Sequence, residues 1–128
     1  MIFEETVVLT EPFDQALARV KEAFAAEGFG TLTEIDLQAT LEAKLGKEMG
    51  RHVIVGACNP HLASRALDEE PQVAVLLPCN VSVRETDTGV LVEAMDPGLI
   101  STLVPRETIA PIAAEARELV NKAMDRLG

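Results

Sequence analysis

The residue pattern predicts a single α+β domain, with a mostly antiparallel sheet and two long helices packed on one face. Three observations lead there. Residues 13–24 and 109–127 each repeat apolar side chains at helical spacing. Short β-rich runs outnumber the helices that could cross over between parallel strands. Asp87-Thr88-Gly89 separates two alternating runs and reads as a hairpin turn. A length of 128 residues fits one domain, and no repeat, linker or low-complexity stretch divides it.

The elements follow in order. A first strand is expected over residues 3–9, with Phe3, Val7 and Leu9 on one face and Glu5 interrupting it. Thr10 is placed to cap the next helix, and Pro12 falls in its first turn, where a missing N–H is tolerated. Phe13, Ala16, Leu17, Val20 and Phe24 line that helix, and Gly28 and Gly30 stop it. Thr31 to Asp36 reads as a second strand. Leu37, Leu41 and Leu45 make a short helix ended by Gly46. His52 to Ala57 is a third strand. Asn59-Pro60 then gives an N-cap followed by proline at the first helical position. Leu62, Ala63, Ala66 and Leu67 continue that helix to Asp68-Glu69-Glu70-Pro71. Val73 to Leu77 is wholly apolar and reads as a buried strand. Pro78 has no N–H to donate, so a bulge or sheet edge is expected there. Val81 and Val83 then alternate with Ser82 and Arg84, and Val90 to Met95 returns from the hairpin. Ile109, Ile112, Ala113, Ala116, Leu119, Val120, Ala123, Met124 and Leu127 mark the last helix.

Charge excludes some partners. Asp and Glu total 21 against 11 Lys and Arg, a net charge of −10. Such a surface repels phosphate backbones and anionic lipid, and no basic cluster offsets it. Aromatic content is 3%, all of it Phe, which leaves no base-stacking platform. Nucleic acid and membrane are therefore not expected as partners. No apolar run approaches the ~20 residues that span a bilayer. Met1-Ile2-Phe3-Glu4-Glu5 lacks the basic region of a signal peptide, so a cytoplasmic location is expected.

The common catalytic signatures are missing. No P-loop, G-x-G-x-x-G, H-E-x-x-H, G-x-S-x-G or C-x-x-C occurs. What stands out is a duplicated context. Gly56-Ala57-Cys58-Asn59-Pro60 and Leu77-Pro78-Cys79-Asn80-Val81 each place Cys-Asn at a strand disruption. Cys58 precedes a helix N-terminus, whose free N–H groups favour a thiolate. If the two strands are neighbours, the sulfurs are close. Both cysteines could equally be small buried residues. A metal site from Cys58, Cys79 and His52 or His61 has none of the usual zinc spacings, so no metal or cofactor is expected. His52 and His61 read as ordinary surface or core residues. Asn59 and Asn80 are first of all a helix cap and a satisfier of backbone groups at the Pro78 break. Their functional reading is an anion pocket beside the thiol, built with the helix N-terminus. Asp96, in the turn Met95-Asp96-Pro97-Gly98, could point into the same pocket.

These residues resemble a known family. Gly56-Ala57-Cys58-Asn59-Pro60, with Leu62-Ala63 and Ala66-Leu67 after it, is similar to the signature of the domain of unknown function 302 family. Leu76-Leu77-Pro78-Cys79-Asn80-Val81 and Met95-Asp96-Pro97 resemble its other two landmarks. Phe29 to Gly46, with Asp36, Leu41 and Lys44, resembles its strand and short helix. The likeness spans nearly the whole chain. It implies a small prokaryotic protein with a β-α-β-β-β-β-α layout like that of the TATA-binding protein, and no established activity. A shared layout does not bring DNA binding with it. The motif positions carried over are Gly56, Cys58, Asn59, Pro60, Cys79, Asn80, Asp96 and Pro97, while His61 falls in a variable slot.

Three functions remain open at this point. The leading one is a module binding a small anionic ligand at the paired Cys-Asn turns, through Cys58, Asn59, Cys79, Asn80 and Asp96. The alternative is thiol redox or sulfur transfer, with Cys58 as nucleophile and Cys79 as its resolving partner; these two are then the candidate catalytic residues. The third is packing alone, in a protein that acts by forming a homo-oligomer.

Overall fold

Alternating apolar residues on neighbouring strands decide how the molecule is layered. The structure is a computed structural model that describes residues 3–128. Its elements are β1 (Phe3–Leu9), α1 (Phe13–Ala26), β2 (Gly30–Asp36), α2 (Leu37–Leu45), β3 (His52–Cys58), α3 (Pro60–Glu69), a 3-10 helix (Pro71–Leu76), β4 (Cys79–Thr86), β5 (Gly89–Met95), α4 (Gly98–Leu103) and α5 (Ile109–Leu127). The strands form one antiparallel sheet in the order β1-β5-β4-β3-β2. This is the expected α+β class, with the main elements in the expected order.

Val53, Val55 and Ala57 of β3 are buried on one face, as are Val81 and Val83 of β4 and Val90, Val92 and Ala94 of β5. The two long helices supply the cover, α1 through Ala16, Val20 and Phe24, α5 through Val120, Ala123 and Met124. Burying each large apolar side chain there is worth about 1.5–3 kcal/mol. Val7 and Leu9 of β1 join this core; the side chains of Phe3 and Glu5 lie outside the described residues. Among the described residues, no long helix covers the opposite face of the sheet.

Local chemistry fixes the ends. α1 closes in a Schellman turn: Phe29 N–H donates to Phe24 O, Gly28 N–H donates to Ala25 O, and Gly28 takes φ +87°. The rings of Phe24 and Phe29 then meet edge to face at 5.9 Å. This hydrophobic contact of the motif adds about 0.5–1.5 kcal/mol. The Asp36 carboxylate caps α2 by accepting from Ala39 N–H, and Gly46 ends α2 at φ +65°. Thr10 does not cap α1: the helix begins two residues later, with Pro12 at the cap position and no side-chain cap.

One expected strand is absent. Val73–Leu77 is not β structure, because a 3-10 helix occupies Pro71–Leu76. Val73 is fully buried, but Val75 is 87% exposed. The physical reason lies in the neighbour. The ladder between β3 and β4 ends at Ala57↔Cys79, since β3 turns into α3 at once. A strand before Cys79 would find no partner on that side, and Pro78 has no N–H to offer. The Glu70 carboxylate instead accepts from Gln72 N–H and starts the 3-10 turn. Pro78 stands at the end of the sheet, after a cis peptide bond.

A second core lies beyond that end. Leu62 and Ala66 of α3, Val73, Ile100 of α4, and Ile109, Ile112, Ala113 and Ala116 of α5 pack together. α4 had no counterpart in the sequence reading. It is short, with Pro97 at its cap position and no side-chain cap, and the Asp96 carboxylate accepts from Gly98 N–H at 2.8 Å in the turn that leads into it. α5 therefore serves both cores, its first half in one and its second half in the other.

Gly56 is required where the sheet ends. A Cβ added there would collide with Thr33 Oγ1 and lie 2.8 Å from Pro78 Cγ. The proline ring cannot swing aside. Gly56→Ala is expected to lower stability by about 1–3 kcal/mol, the usual cost of overpacking. Urea unfolding of the two proteins checks it, and equal midpoints would show that this crossing yields freely.

Candidate functional site

The junction of β3 and α3 brings the first Cys-Asn pair to the border between the two cores. β3 ends at Cys58, and Asn59 is the N-cap of α3, its Oδ1 accepting from Leu62 N–H at 3.3 Å. Such a cap is worth about 1 kcal/mol. Pro60 follows in the first turn, where it leaves no intrahelical bond unmade. Cys79 opens β4 directly opposite Ala57, so the two cysteines sit on adjoining strands at the same end of the sheet.

Cys58, Asn59 and Cys79 all line one small cavity of about 40 Å3. Its other walls are apolar: Phe29, Leu62, Ala66, Val73, Leu77, Ile100, Ile109 and Ile112 among them. The volume holds only a few water molecules, against the ~300–1,000 Å3 of ordinary ligand pockets. Both thiols are free. Cys58 is partly exposed, whereas Cys79 is buried at 8% exposure. Burial pushes the Cys79 thiol up to about 11, and the neighbouring Cys58 adds to the rise. At neutral pH only about one Cys79 in ten thousand is then a thiolate.

The remaining sequence candidates lie elsewhere. Asn80 is on the opposite, open face of the sheet, because successive strand residues point to opposite sides. There it borders a groove of about 450 Å3 with His52, Ile54, Ser82, Arg84, Glu93 and Met95. Asp96 borders a third, separate groove with Ser101, Arg117 and Asn121, and its Oδ1 lies 3.5 Å from Arg117 Nε. The cavity thus unites three of the five candidates and leaves out Asn80 and Asp96. His61 is exposed on α3. Among the described residues, no group of three His, Cys, Asp or Glu is arranged to hold a metal ion. No helix among them is long and apolar enough to cross a membrane.

Of the polar residues around Asn80, only His52 stands out in the sequence, where it reads as an ordinary surface or core residue. His52 Nε2 and Ser82 Oγ are 2.7 Å apart, and Arg84 Nε donates to Glu93 Oε1 at 3.2 Å. Partial burial lowers the His52 pKa, with the Arg84 charge adding to the fall and Glu93 opposing it. The alternation of Asn80, Ser82 and Arg84 was the available signal. Their cross-strand partners depend on register, which sequence spacing does not supply.

The Cys79 shift has a measurable consequence. The thiol ionises near 9.0 when unfolded but holds its proton to about 11 when folded. Between those values the folded state binds more protons, so stability falls as pH rises. Chemical unfolding at pH 8.5 and pH 11 should show a loss of about 2 kcal/mol attributable to this group. In Cys79→Ala that component is expected to vanish. An unchanged pH slope in the variant would mean that the buried thiol is not its source.

A search of the curated proteins finds no match. Among solved structures, the chain is similar to the crystal structure of an uncharacterized conserved protein DUF302 from Bacillus stearothermophilus. The two share 26% sequence identity and superpose with a TM-score of 0.89, over 100% of each chain. The family model "Domain of unknown function DUF302" matches residues 5–127. On that match the chain belongs to the DUF302 family.

Proposed function

We propose that this protein is a dithiol redox module working through Cys58 and Cys79. The observation that carries the reading is the contrast between two thiols on one cavity, one partly exposed at a helix start, the other buried and protonated. An anionic ligand fits this place less well. The walls are apolar, the volume is small, and a charge there would be desolvated without a charged partner. Asn80, which would have completed an anion pocket, faces the other way.

The chemistry assigns different roles to the two sulfurs. The Cys58 thiolate attacks a low-molecular-weight disulfide, forms a mixed disulfide and releases one thiolate. Cys79 sulfur then attacks Cys58 Sγ, closing a Cys58–Cys79 bond. The second thiolate departs and takes the Cys79 proton. Two protein thiols are oxidised, and one external disulfide is reduced to two thiols. A reducing compartment such as the cytoplasm would keep the pair in the dithiol form.

Oxidised glutathione tests this on the native protein, read by intact mass and peptide mapping. Glutathione should first appear on Cys58, then leave as the protein loses two hydrogens relative to the reduced form. Cys79→Ala should stop at the mixed disulfide, and Cys58→Ser should not react. If both thiols stay inert until the protein is unfolded, the cysteines are packing residues and the redox reading fails.

A further inference from the structure

The open face of the sheet carries a second constellation, independent of the thiols. Register sets its geometry. Ile54, Ser82 and Glu93 share one cross-strand row, and His52 and Arg84 share the next. Two diagonal contacts knit the rows together, His52 to Ser82 and Arg84 to Glu93. Asn80 stands in the row beyond, opposite Gly56, which adds no side chain to that row. The groove over these strands has about 450 Å3, the size class of small-molecule sites.

We propose that this groove binds a small organic carboxylate with an apolar tail. The donor inventory carries the argument. Arg84 uses Nε on Glu93, and neither of its Nη groups has a protein acceptor among the described residues. Its side chain is 41% exposed against 19% for Glu93, so the cation is what protrudes into the groove. A planar guanidinium with free Nη groups matches a carboxylate in a bidentate fork. The exposed Asn80 amide also has no protein partner among the described residues and offers a second donor. Leu37, Ile54 and Met95 form apolar walls on the same groove, which suit a hydrocarbon tail. Glu93 holds Arg84 in place and sets a limit on charge: a multiply charged anion would meet its carboxylate and the strongly acidic surface. A monoanion with an apolar body satisfies all of these groups together.

Octanoate is a suitable probe, with 1-octanol and octylammonium as neutral and cationic counterparts of the same length. Each is titrated into 15N-labelled protein below its micelle-forming range. Octanoate should shift the amide signals of Ile54, Ser82, Arg84 and Glu93 saturably and bind at least tenfold tighter than either counterpart. Arg84→Gln should weaken it about tenfold. Asn80→Asp, a change at an exposed position that leaves the core intact, should weaken it through like-charge repulsion even if Arg84→Gln is poorly folded. Cys58→Ser should bind octanoate like the parent, which separates this site from the thiol chemistry. Equal binding of all three probes, or shifts confined to Leu62 and Ile112, would overturn the proposal. So would the same amides shifting on dilution of protein alone, since a second copy would then cover the face.

Discussion

Everything in this fold turns on the one-sided burial of its sheet. β3, β4 and β5 present valines and alanines to one side only, and that side must be kept from water. α1 and α5 answer the demand along most of the sheet, so the opposite face is left to residues that tolerate water. The division has a sharp chemical result. On one side the environment raises a thiol pKa; on the other, His, Ser, Arg and Glu meet across strands within reach of solvent. Two candidate sites of opposite character are thus separated by the thickness of one sheet.

Much of the architecture was legible in the chain. The two long helices announce themselves because apolar residues at three and four spacing have no other economical arrangement. The Asn59-Pro60 start and the Gly28 and Gly46 stops are local chemistry, readable from a few residues. Val73–Leu77 misleads because an apolar run says only that something is buried. In fact Val73 is buried, Leu76 and Leu77 are half-buried against the second core, and Val75 faces water. Whether such a run can be a strand depends on whether a neighbour extends far enough to pair with it, and β3 does not. α4 escapes notice for the opposite reason: six residues hold too little periodicity to register, and its start lies in what reads as a turn with no capping side chain.

The candidate site shows a subtler limit. The two Cys-Asn pairs look like copies, yet they differ in backbone setting. In the first, the pair straddles the passage from strand to helix, so thiol and amide border the same cavity. In the second, both residues lie in β4, and the period of two sends the thiol inward and the amide outward. The parity of Val81 and Val83 against Ser82 and Arg84 already contained this answer, once β4 is known to begin at Cys79. The polar rows around Arg84 were illegible, because Glu93 and Ser82 are neighbours only through the hairpin register.

The edge strand β2 carries a consequence of its own. All seven of its residues are exposed, and its pairing with β3 shifts register between Thr31 and Thr33. An open strand edge is a template for another chain, the first step toward cross-β stacking. The shift breaks the even spacing of N–H and C=O groups that a foreign strand would need. Glu34 and Asp36 add charge along the same edge, with Lys21 of α1 holding Glu34. The irregularity in β2 therefore works as a guard against aggregation, built into the strand that could most readily recruit a neighbour.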